Sequence, residues 1–174
     1  MTNPLSQKFP ISVKLFHTLV AVLMIATLVI GWQLEDDNMS LMMLHKSLGI
    51  AVLVVALLRF VNRIRAKNAV PASVHSQNSL QYIVEKAVHG MLYLTMIGIP
   101  VVGWLTSNAF GYPASFFGLF NLPTLVGKNV ELAETLGEMH ELGANVFVAL
   151  LALHVLGAIA HLVMHKQNIF KRMF

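Results

Sequence analysis

The side chains able to do chemistry in this chain are its eight histidines: His17, His45, His75, His89, His140, His154, His161 and His165. Imidazole binds metals through a neutral ring nitrogen and moves protons near neutral pH. Cysteine is absent, which excludes disulfides, thiolate-held iron–sulfur clusters, thiolate zinc sites and covalent attachment of a macrocycle through C-x-x-C-H. Any redox metal in this chain must therefore be held by other ligands, and histidine is the abundant one.

The elements that carry these rings are set by composition. The chain of 174 residues is 56% hydrophobic and 11% charged, with a mean hydropathy of +0.69. Soluble domains carry about 25% charged residues, so this chain lacks the polar surface to coat a globule in water. Apolar runs at 14–33, 41–62, 87–107 and 142–164 each approach the roughly 20 residues a helix needs to cross a bilayer. The fold class that follows is an all-α transmembrane four-helix bundle, a single domain over 1–174. The first run is read as a retained span, because it is too long for a signal peptide and lacks a small-residue cleavage site.

If the spans alternate, ten of the twelve basic residues fall on one side, among them Lys8, Lys14, Arg59, Arg63, Arg65, Lys67 and Lys86. That side is cytoplasmic by the positive-inside rule, with both termini on it. Seven of the eight acids fall on the other, from Glu35, Asp36 and Asp37 to Glu131, Glu134, Glu138 and Glu141. The pI near 9.6 is thus an orientation signal, not a nucleic-acid surface. On the inner side, Asn78-Ser79 reads as a turn and cap before the third span. The outer segment 108–137 gathers Phe110, Tyr112, Phe116, Phe117 and Phe120 among glycines and prolines, a composition suited to the membrane interface.

Intramembrane histidines are costly and mark function. His17 lies about a turn inside the inner end of the first span, His45 at the outer start of the second, and His89 in the inner third of the third. His140, His154, His161 and His165 run down the fourth, while His75 lies in the inner loop and reads as a solvated side chain. His140 and His154 are fourteen residues apart, so they share one helix face at depths about 21 Å apart. Glycines follow at Gly49, Gly143 and Gly157, leaving room either for a flat macrocycle or for close helix packing. Two imidazoles per iron leave no open position, which suits electron transfer. Depth pairs His45 with His140 near the outer surface and His17 with His154 near the inner one, as two stacked haems; His89 remains an alternative inner ligand. No span carries an acid at mid-membrane, which disfavours a zinc-transport site of mixed ligands.

The segments Lys14-Leu-Phe-His17, Leu44-His45-Lys-Ser-Leu-Gly49 with Leu58-Arg59, Val88-His89 with Tyr93 and Pro100 to Gly103, Met139-His140, Leu153-His154 and Ala160-His161 resemble the bacterial cytochrome b561 family. The ending Lys166 to Met173 is similar too. The resemblance implies a bundle in the bacterial inner membrane holding two haems b, with axial ligands that map to His17 with His154 and His45 with His140. It also implies quinone chemistry near the inner haem, with ubiquinone or menaquinone as partner, and one member type oxidises superoxide while reducing ubiquinone. The expected function is transmembrane electron transfer between a periplasmic donor and quinone. The rival of a different class is a haem b anchor subunit that relays electrons for a dehydrogenase. Arg59 is expected beside a haem propionate, and His161 with His165 and Lys166 at the quinone, on the stripe that continues from His154.

Overall fold

The computed structural model describes residues 7–34, 38–164 and 170–173. Four long helices make up most of it: α1 (Ile11–Gly31), α2 (Met39–Arg65), α3 (Leu80–Ala109) and α4 (Val130–Met164), each long and apolar enough to cross a membrane. A two-stranded hairpin of β1 (Ser115–Phe116) and β2 (Phe120–Asn121) lies between α3 and α4, and a single turn, α5 (Phe170–Met173), follows. Half of the large apolar side chains on the four helices are exposed, as expected of a bundle whose outer solvent is hydrocarbon.

The helices α2, α3 and α4 start ahead of their apolar stretches, each behind a local cap. Asn38 caps α2 by accepting from Leu41 N–H, Ser79 caps α3 by accepting from Tyr82 N–H, and Asn129 Oδ1 accepts from Leu132 N–H. The Ser79 cap is the one expected from the sequence. At α4 the difference is large: the helix begins at Val130 rather than near residue 142. Hydropathy registers where lipid begins, whereas a helix continues through Glu131, Glu134, Glu138 and Glu141, whose negative charge is favourable near an N-terminus.

All four helices meet in one buried cluster: Val20 and Met24 of α1, Val52 and Ala56 of α2, Leu92 and Met96 of α3, and Phe147 of α4. The cluster sits midway along the bundle, since Phe147 is seven residues from both His140 and His154. The closest pairings are α3 on α4, α1 on α2 and α2 on α3. Across the looser α1–α4 approach, His17 and His154 face each other.

The outer segment is folded rather than a plain connector. Leu119 N–H donates to Phe116 O in a turn whose central residues, Phe117 (φ 49°) and Gly118 (φ 71°), both take left-handed backbone, the geometry that matches strand twist in tight hairpins. Ser47, fully buried on α2, receives the Phe117 N–H at 2.8 Å and itself donates to Met43 O. The hairpin is thereby pinned to the residue two positions after His45. At the opposite end α5 ties three segments together: Phe9 N–H donates to Arg172 O, and the buried Arg172 guanidinium donates to Ala72 O and Gln7 O.

Candidate haem-binding histidine pairs

Seven of the eight histidines converge on two levels of the bundle and a third meeting point beyond them. At the outer level the His45 and His140 rings lie 6.0 Å apart, centroid to centroid, and nearly perpendicular at 81°. At the inner level His17 and His154 lie 6.3 Å apart and tilted by 38°. A metal holds an imidazole nitrogen at about 2 Å, with the ring centre roughly 1 Å behind it, so two imidazoles trans on one iron have centroids about 6 Å apart. Both pairs match that separation.

The outer pair is also set in the right tautomer. His45 Nδ1 is 3.1 Å from Thr27 O and His140 Nδ1 is 3.0 Å from Ile99 O. A carbonyl only accepts, so each Nδ1 carries the proton and each Nε2 keeps its lone pair for a metal, the arrangement that orients ligating histidines. Two glycines make these contacts possible. A Cβ on Gly31 would sit 3.0 Å from His45 Cε1, and one on Gly103 would sit 2.8 Å from His140 Cε1. The residues present therefore fit a bis-imidazole haem at this level.

The glycines singled out from the sequence behave differently. Gly143 serves helix packing, because a Cβ there would meet Ile99 at 3.0 Å, while Gly49 and Gly157 have open space beside them. The glycines that seat the ligand rings are Gly31 and Gly103, which lie on neighbouring helices, so spacing along one helix gave no sign of them.

His89 shares the inner level. Its ring is 5.0 Å from His154 at 90°, and its Nδ1 donates to Glu85 O at 2.6 Å. That centroid distance is shorter than trans ligation requires, so the His17–His154 geometry fits a shared iron better. Arg59 is half-buried at the same level, with Nη1 3.8 Å from Met96 Sδ and its guanidinium 5.0 Å from the Tyr93 ring centre. It lies near enough to His17 and His154 for its charge to act on both. One turn on, Asn62 buries an amide nitrogen that has no acceptor among the described residues. Arg59 likewise has no carboxylate partner among them. A desolvated cation with a second donor beside it calls for an anion, and a haem propionate is one.

Beyond this level His161 meets a partner that sequence reasoning missed. His75, read from the sequence as solvated, places its Nε2 2.9 Å from His161 Nε2, with ring centroids 4.6 Å apart. The inner loop is drawn in by Ser73, whose hydroxyl donates to the Glu85 carboxylate and accepts from the His75 N–H. A contact that depends on a hydrogen bond from loop to helix leaves no periodic trace in sequence. His165 and Lys166 lie outside the described residues.

Comparison with known proteins identifies the family. The family described as prokaryotic cytochrome b561 matches residues 8–174. The chain is 31% identical over 130 residues to cytochrome b561 homolog 2 of Escherichia coli K12, covering 75% of this chain and 68% of that one. It is 30% identical over 145 residues to cytochrome b561 homolog 1 of the same organism, covering 82% and 81%. It is 31% identical over 131 residues to a Yersinia pestis protein named "Probable superoxide oxidase CybB", covering 75% and 73%. The chain belongs to the prokaryotic cytochrome b561 family, as a multi-pass membrane protein that binds haem b and carries electrons.

Proposed function

We propose that this chain carries electrons through two haems b, from a donor at the hairpin end of the bundle to a membrane quinone at the other. The observation that supports this most is the pair of matched histidine separations, 6.0 and 6.3 Å, at two levels of one bundle. Haem b supplies a one-electron iron couple. In this reading His45 and His140 hold the outer haem, His17 and His154 hold the inner one, and Arg59 faces an inner propionate. The basic end of the chain is cytoplasmic, and the membrane is the bacterial inner membrane.

The quinone site is built on His161. Where two imidazole nitrogens lie 2.9 Å apart, one ring must donate and the other accept, so a proton resides between them. His75 stands on a loop at the aqueous end and His161 on the membrane helix. The pair thus passes a proton inward, and His161 presents a donor to a quinone carbonyl oxygen. His89 and, at the helix end, His165 and Lys166 are the neighbouring groups in this region.

Superoxide is the donor this reading favours. Two superoxide anions give two electrons and leave as dioxygen, and one quinone takes those electrons with two protons. The outer face is acidic, which opposes an anion. Locally, however, Lys46 places its ammonium 5.5 Å from the Tyr112 ring centre, and the Lys128 side chain lies where a Cβ on Gly111 would come within 3.2 Å of it. Both outer cations therefore bear on one turn near His45. The name of the Yersinia pestis relative points the same way.

Pyridine haemochrome quantification of the purified chain tests the two-haem count, and a stoichiometry near one overturns it. Stopped-flow mixing of the reduced protein with ubiquinone-1 and menaquinone-1 tests the acceptor. A chain that reoxidises with neither quinone, and co-purifies with a dehydrogenase, is instead an electron-relaying anchor subunit.

A further inference from the structure

Between the end of α2, the inner loop and the start of α3 lies a cavity of about 510 Å³, lined among others by Arg63, Ile64, Lys67, His75, Tyr82 and Lys86. Its three permanent cations come from three different segments. Glu85 is the one acid near them, and its carboxylate already receives the Ser73 hydroxyl and lies 3.9 Å from Lys86 Nζ. Arg63 and Lys67 have no ion pair among the described residues. The cavity therefore carries positive charge in excess, and of the six lining residues named only His75 has a part in the path proposed above.

Its depth and its approach narrow the class of anion. With 27 residues, α2 is about 40 Å long against a hydrocarbon core of about 30 Å, so its last turns project to the level of lipid headgroups. Leading up to the cavity, Val54, Leu57, Val61 and Ile64 are all exposed. Their spacing of three, four and three residues lines one face of the helix. Ile64 belongs to both the stripe and the cavity wall. An apolar track that ends in a cationic hollow has the shape of an amphiphile, with acyl chain along the helix and charged head at its end.

We infer that this cavity binds the phosphate headgroup of an anionic phospholipid, held by Arg63, Lys67 and Lys86, with an acyl chain on the Val54–Ile64 stripe. Basic hollows at helix ends select such lipids because each Lys or Arg adds attraction that a zwitterionic headgroup does not return. Since His75 also lines the cavity, the bound lipid would form one wall of the loop that carries it.

Native mass spectrometry of the haem-loaded full chain, incubated in detergent with dioleoylphosphatidylglycerol or dioleoylphosphatidylcholine, tests this. One phosphatidylglycerol should be retained where phosphatidylcholine is shed. The double variant Arg63→Gln/Lys67→Gln should weaken that retention about thirtyfold. The variant Lys8→Gln/Arg65→Gln, with the same change in net charge on cations outside the cavity, should keep it. Equal loss in both variants would mean that bulk charge alone attracts the lipid, and the inference fails. Displacement of the lipid by an equal concentration of inorganic phosphate would make this a plain anion site, and the lipid assignment fails. Haem absorbance of each variant reports that the bundle is intact.

Discussion

His75 and His161, 86 residues apart in sequence, join their rings Nε2 to Nε2 at 2.9 Å. The contact links a loop to the last turns of a membrane helix, at the end of the bundle beyond His17 and His154. In the proposed function, removing either ring would break the same proton path. His161→Ala and His75→Ala should each slow reoxidation of the reduced haems by quinone about a hundredfold, the usual scale for a lost acid–base group. Haem absorbance spectra should not change. Unchanged reoxidation in both variants, measured by stopped flow, would place the quinone elsewhere, with His89 the next residue to test.

Gly103 leaves no room for a side chain beside His140. In Gly103→Ala the new Cβ would lie 2.8 Å from the ring, forcing a shift that costs about 1–3 kcal/mol and misdirecting Nε2. Gly31→Ala should act in the same way on His45. Both variants should lose the low-spin signal of one haem in electron paramagnetic resonance, while Gly98→Ala, which meets nothing within 4 Å, should keep both signals.

Arg59 carries a positive charge near His17 and His154 but has no carboxylate among the described residues. A cation near an iron centre favours the reduced state. Arg59→Gln should therefore lower the midpoint potential of one haem by about 50 mV, corresponding to roughly 1 kcal/mol of lost Coulomb energy. The other potential should stay where it is. Redox titration of both haems checks this, and two unchanged potentials would remove Arg59 from the haem site.

Ser47 holds the hairpin against α2 through the Phe117 N–H. Ser47→Ala removes the acceptor of that amide, at a cost of about 0.5–1.5 kcal/mol. Hydrogen exchange over residues 115–121 should then accelerate relative to the helix cores. Exchange at the native rate would show that the β1–β2 pairing alone holds the turn.

Much of the site was legible because membrane helices make depth readable from position in the chain. Level pairs His45 with His140, and their rings do face each other; at the inner end level leaves His89 open beside His17 and His154, and all three rings gather there. The close fit around the rings was hidden, since Gly31 and Gly103 act on histidines of other helices and only packing reveals them. The approach of His75 was hidden because it depends on Ser73 reaching Glu85 twelve residues away. The early start of α4 was hidden because acidic residues end an apolar run without ending a helix. The turn at Phe117 was hidden because a bulky residue with positive φ runs against its own backbone preference.

The cluster of Val20, Met24, Val52, Ala56, Leu92, Met96 and Phe147 separates the two histidine levels, and none of these seven side chains can relay a proton. With a haem on either side, as proposed, the plug would act as insulation. Electrons could tunnel through closely packed hydrocarbon and sulfur, while these seven side chains offer hydrogen ions no ionisable group to hop along. Charge would then cross the bilayer as electrons alone, and hydrogen-ion uptake would be confined to the end where His75 meets His161. Each turnover would add to or draw down the membrane voltage according to the direction of electron flow, without short-circuiting it.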